Sequence, residues 1–99
     1  MDSNRKDILQ LNMEQIRFLE LGLNIAYYRK LRGLSQKDLA EKANLSKRLI
    51  TMLERPTGEK SLSMQKFFAI ADALCVHPGK LLEIRSENIN RDKMKETES

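Results

Sequence analysis

Lys47 and Arg48 are adjacent cations, and Thr51 and Met52 follow them at steps of three and four residues. On a helix, that spacing puts the four side chains on one side. The guanidinium of an arginine or the ammonium of a lysine can donate to O6 and N7 of guanine. A threonine can offer a base its hydroxyl or its methyl group. The chemistry open to this cluster is therefore recognition of base edges. Catalysis has no comparable foundation. The chain has a single histidine, His77, and a single cysteine, Cys75. No Ser/His/Asp, Cys/His or paired-carboxylate arrangement has supporting context, so an enzyme is the weakest reading. With no second histidine and no cysteine cluster, neither a metal site nor a cofactor is expected.

The charge pattern favours a polyanionic partner. Net charge is +4, but residues 29–60 hold nine basic groups against four acidic ones, so the excess is concentrated there. A basic segment of this kind binds phosphate by releasing counterions. A solvated basic surface would have the same composition, so the elements carrying the charges must decide. Ninety-nine residues make one domain. A lone thiol fits a reducing cytosol, and no apolar run is long enough to cross a membrane. Residues 1–7 lack a signal-peptide core, and the chain reads as soluble and cytoplasmic.

Few aromatic residues and few glycines favour an all-α fold. Asn12 followed by Gln15 forms a capping-box pattern, so a helix is expected from Met13 to about Arg32, closed by Gly33. Ser35 should cap a helix over Gln36–Ala43, and Asn44 can take the left-handed conformation of a tight turn. Ser46 should cap a helix over Lys47–Arg55. After the loop PTGEK, Ser61 or Ser63 opens a fourth helix through Leu74, and Leu81, Leu82 and Ile84 suggest a short fifth. This divides the chain into an extension (1–12), a domain (13–84) and a polar tail (85–99) expected to be disordered. Cys75 reads as a small buried apolar residue.

The segment QKDLAEKANLSKRLITMLER has what two short helices crossing through a tight turn require. Leu39, Ala43, Leu45, Ile50 and Leu53 supply an inner face, and Ala40 is the small residue for close approach. Lys47, Arg48, Thr51 and Met52 then project outward. The first helix carries two apolar stripes: Phe18, Leu21, Ile25 and Tyr28, and also Ile16, Leu19, Leu23, Tyr27 and Leu31. One small core needs only one of them. The second is covered by local packing, by Ile8, Leu9 and Leu11 of the extension, or by a second subunit.

Residues 21–82 resemble the Cro and phage-repressor (XRE-like) family of helix-turn-helix regulators, most specifically in the run RGLSQKDLAEKANLS and in the Glu54-Arg55 pair. The resemblance implies a compact five-helix bundle preceded here by an N-terminal helical extension. It implies a homodimer that binds double-stranded DNA, places Lys47–Arg55 in the major groove and acts as a repressor on a palindromic operator. It implies base contacts from Lys47, Arg48, Thr51 and Met52. Gln36 would contact a phosphate and brace Lys47, and Ser46, Arg55, Lys30 and Lys60 would contact phosphates as well. Arg29 and Glu54 correspond to a structural salt bridge. Arg32 is either a phosphate contact or solvated. Two positions depart from the family pattern: Pro56 stands where glycine is usual, and Lys60 where proline is usual. The alternatives are an antitoxin that also binds a toxin, and a protein-interaction module without DNA binding.

Overall fold

The computed structural model describes residues 12–84. Expectations placed on residues 1–11 and 85–99, including the helical extension and the polar tail, lie outside the described residues. Four α-helices follow one another: α1 (Met13–Leu31), α2 (Gln36–Ala43), α3 (Lys47–Glu54) and α4 (Met64–Leu74). The short fifth helix expected near Leu81 is instead a five-residue 3-10 helix, Pro78–Leu82, so the described residues hold four α-helices and not five. Pro78 starts it without wasting a donor, and His77 Nδ1 accepts from the Gly79 N–H at 3.0 Å. No strand occurs among the described residues.

Local chemistry fixes each start and stop. Asn12 with Gln15, and Ser35 with Asp38, form reciprocal capping boxes. Ser46 and Ser63 accept from the backbone N–H groups of Leu49 and Lys66. At the other ends, α1, α2 and α4 close in one way. The residue after the last turn is left-handed, and the next N–H reaches back five residues. These bonds run from Leu34 to Arg29, Leu45 to Ala40 and Val76 to Ala71. The left-handed positions are Gly33, Asn44 and Cys75. Glycine and asparagine tolerate that conformation, whereas cysteine is strained in it. Cys75 is also exposed, because the backbone turns there, and is not the buried apolar residue expected.

The core lies where the helices converge. Ile25, Leu39, Ile50, Leu53, Ile70, Leu74 and Leu81 are fully enclosed. α1 crosses closely over α3. A Cβ on Gly22 would lie 2.2 Å from the Leu53 carbonyl oxygen, so only glycine fits. Asn24 is fully buried beside it, and its Nδ2 donates to the carbonyls of Leu81 (2.9 Å) and Glu83 (2.7 Å). That fork anchors the segment after α4 to the first helix. The second apolar stripe of α1 divides along its length. Ile16 and Leu19 are half-buried, while Leu23, Tyr27 and Leu31 remain exposed.

Candidate nucleic-acid interface

α2, the turn at Asn44 and α3 form the crossed pair that the sequence pattern requires. Ser46, Lys47 and Arg48, at the start of α3, are all exposed. Ile50 and Leu53 point into the core and fix the rotation of the helix. Thr51 is half-buried at the edge of the outward face. Met52 departs from its expected place: it is half-buried and packs against the core cluster. One position before Leu53, it lies at the margin of the helix where a long apolar side chain gains more by folding inward.

Behind the outward face runs a polar network. Arg29 of α1 grips Glu54 with two bonds, Nε to Oε2 at 2.7 Å and Nη2 to Oε1 at 2.9 Å. Its Nη1 also donates to the Leu34 carbonyl at 2.8 Å. Both side chains are largely buried, and hydrogen bonding to Glu54 holds the guanidinium above its ordinary pKa. Gln36 Nε2 donates to the same Glu54 oxygen at 3.0 Å, and the Thr51 hydroxyl donates to Gln36 Oε1 at 2.7 Å. Gln36 is thus held by Thr51 and Glu54, and not braced against Lys47 as the resemblance implies. Four residues from three helices lock α3 onto the domain.

Lys60 is engaged inward. Its ammonium donates to the carbonyls of Met52 (2.8 Å), Thr57 (3.1 Å) and Arg55. An ammonium has three N–H bonds, and all three are committed here, so Lys60 caps the carboxyl end of α3 and is not free for a phosphate. Burial, and next the charge of Arg55, push its pKa below the usual lysine value. Arg32 is likewise structural: its Nε donates to the Leu74 carbonyl at 2.8 Å and its Nη2 to the Cys75 carbonyl at 3.4 Å, closing α4. Lys30, Arg55, Lys47 and Arg48 remain exposed.

Gly22 and Asn24, which hold α1 against α3 and against the C-terminal segment, had no part in the sequence reading. The signal was a glycine and an asparagine beside the apolar stripe of a helix that otherwise follows the pattern. Among the described residues, no helix is long and apolar enough to cross a membrane, and no His/Cys/Asp/Glu group could hold a metal ion.

A family model described as helix-turn-helix matches residues 25–81, more than half of the chain. No curated protein matches the sequence. Solved structures are similar as well, among them these two. The restriction-modification controller protein C.AhdI from Aeromonas hydrophila is 26% identical, with a TM-score of 0.60, over 65% of this chain and 94% of that one. A hypothetical transcription factor from Neisseria, NHTF, is 26% identical, with a TM-score of 0.68, over 82% of this chain and 91% of that one. The matched span takes in the crossed helix pair, the ion pair that ties α3 to α1, and the exposed start of α3. The chain belongs to the Cro/C1-type (XRE) helix-turn-helix family of DNA-binding transcriptional regulators.

Proposed function

We propose that the chain is a repressor that binds a symmetric operator as a homodimer, inserting α3 into the major groove. The observation that carries this reading is the exposure of Lys47 and Arg48 on the first turn of a helix whose rear is fixed by buried apolar and ionic contacts. A reading head must be both accessible and rigid, because base recognition depends on side-chain placement. Lys47, Arg48 and Thr51 contact bases in this reading, and Met52 contributes from the margin. Gln36 keeps a second amide N–H for a phosphate oxygen. The Ser46 hydroxyl, Lys30 and Arg55 fix the register on the backbone.

Dimerisation would place two α3 helices in successive grooves about 34 Å apart, about 10 bp. Exposed Leu23, Tyr27 and Leu31 on α1, and Phe68, Met64 and Leu82 elsewhere, provide apolar surface that a second subunit could cover. A Leu23→Glu variant with unchanged sedimentation and stability would exclude the α1 stripe as that surface. The likeness to a controller protein and to a transcription factor supports the regulatory role.

The test is selection from random duplex DNA at physiological salt, with wild type beside a Lys47→Ala/Arg48→Ala variant. A palindromic motif enriched by wild type and lost by the variant is the expected result. Weak binding without an enriched sequence would overturn the reading and favour a protein-interaction module.

A further inference from the structure

The network behind α3 has a direction, and the direction is imposed by charge. Arg29 can only donate, so both carboxylate oxygens of Glu54 accept from it. Glu54 can therefore receive only a donor from Gln36, which turns the amide so that Nε2 faces the carboxylate at 3.0 Å. The reverse orientation would press the amide oxygen against a carboxylate oxygen. With Nε2 so fixed, Gln36 Oε1 faces Thr51, and the threonine hydroxyl must donate to it, at 2.7 Å. A hydroxyl has one hydrogen. Thr51 has used it internally, and only lone pairs and a methyl group are left to face outward.

Resting on the DNA-binding reading above, we propose that Thr51 is a specificity-determining residue that meets the base edge as a hydrogen-bond acceptor and not as a donor. Its partner is an exocyclic amine, N6 of adenine or N4 of cytosine. Guanine offers O6 and N7, both acceptors, and would set lone pair against lone pair. Arg29, at the far end of the relay and without touching DNA, thus helps set the sequence preference. An uncoupled threonine would accept either kind of partner by rotating its hydroxyl. The relay removes that freedom.

The experiment uses the duplex that wild type enriches from random DNA, with Thr51→Val, Thr51→Ser and Gln36→Met variants checked by circular dichroism for intact helices. Thr51→Val should change the preference at one position of each half-site. At that position, replacing the adenine by purine, or the cytosine by its analogue lacking N4, should weaken wild type and Thr51→Ser about three- to tenfold and leave Thr51→Val unaffected. Gln36→Met removes the internal acceptor and frees the hydroxyl, so this variant should tolerate guanine where wild type rejects it. That gain is a change of preference that lost stability alone would not produce. The proposal is overturned if Thr51→Val selects the same sequence as wild type. It is overturned equally if wild type is sensitive to 7-deazaguanine in place of loss of the amine, or if Gln36→Met keeps the wild-type preference. Enrichment of no sequence by wild type would overturn the DNA-binding reading itself, a result distinct from all of these.

Discussion

Replacing Glu54 by alanine removes three acceptor contacts at once, two from Arg29 and one from Gln36. The Arg29 and Glu54 side chains are only 11% and 8% exposed, so water cannot replace the lost partner. The guanidinium would keep one bond, to the Leu34 carbonyl. An uncompensated buried charge of this kind costs about 3–5 kcal/mol. Small domains have only about 5–15 kcal/mol in total, so the variant should approach the limit of folding. At about 4–8 °C per kcal/mol, the midpoint should fall by roughly 12–40 °C. Urea unfolding measures the free-energy change and thermal unfolding the midpoint, both followed by circular dichroism. The partner experiment is the apolar pair Arg29→Met/Glu54→Leu, which removes both charges and fills the space. That protein should lie within about 2 kcal/mol of wild type, because neither charge is left buried alone. A Glu54→Ala variant within about 1 kcal/mol of wild type would refute the argument. So would a double variant as unstable as the single one, since either result would mean that charge burial is not what the pair balances.

Gly22→Ala should cost about 3 kcal/mol or more in urea unfolding, because its Cβ would meet the Leu53 backbone oxygen at 2.2 Å and α1 and α3 would have to separate. Cys75→Gly should stabilise the protein by about 0.5–1 kcal/mol, since glycine relieves the left-handed strain at φ 59°; an unchanged urea midpoint would show that the strain is already relaxed. The Ser35 backbone N–H, and next its hydroxyl, hold the Asp38 carboxyl below the usual aspartate range. The resulting stability is fully present above the ordinary value of about 4 and is lost as pH falls through the lower folded value, so Asp38→Asn should flatten the acid limb of stability against pH. Lys60→Met should destabilise by about 1–2 kcal/mol through loss of the α3 cap while leaving the salt dependence of DNA binding unchanged. A phosphate contact would instead reduce that slope by about one.

The four α-helices, and the caps at Asn12, Ser35, Asn44 and Ser46, were legible because each is set by neighbours in sequence. A capping box needs only Ser35 and Asp38, and a left-handed closure needs only a residue such as Asn44 after an apolar turn. The ion pair between Arg29 and Glu54, 25 residues apart, was accessible only through the family resemblance. Other long-range features left fainter signals. Gly22 looks like a weak point in a helix until α3 is laid across it. Asn24 looks like an interruption of an apolar stripe until two carbonyls arrive from residues 81 and 83. Met52 and Lys60 show the limit of helical projection. Both are long, flexible side chains, and periodicity gives the direction of Cβ but not where a thioether or an ammonium finally rests.

The positions of the cations change what the basic segment means. Of the nine between residues 29 and 60, Arg29 neutralises a buried carboxylate, and Arg32 and Lys60 close helices α4 and α3. These three stabilise the domain whether or not DNA is present, and their charges cannot be counted as contacts. The six that remain are Lys30, Lys37, Lys42, Lys47, Arg48 and Arg55, all exposed. Counterion release depends on the cations that reach phosphates, not on the charge of the segment. The Lys60 cap also accounts for a departure from the family pattern. Proline, usual at that position, stiffens the loop after the recognition helix by restricting its backbone. Lysine achieves a comparable restraint by tying the carbonyls of Met52, Arg55 and Thr57 to one ammonium. The restraint is therefore electrostatic and depends on keeping water and competing anions away from one partly buried charge, which a proline would not require.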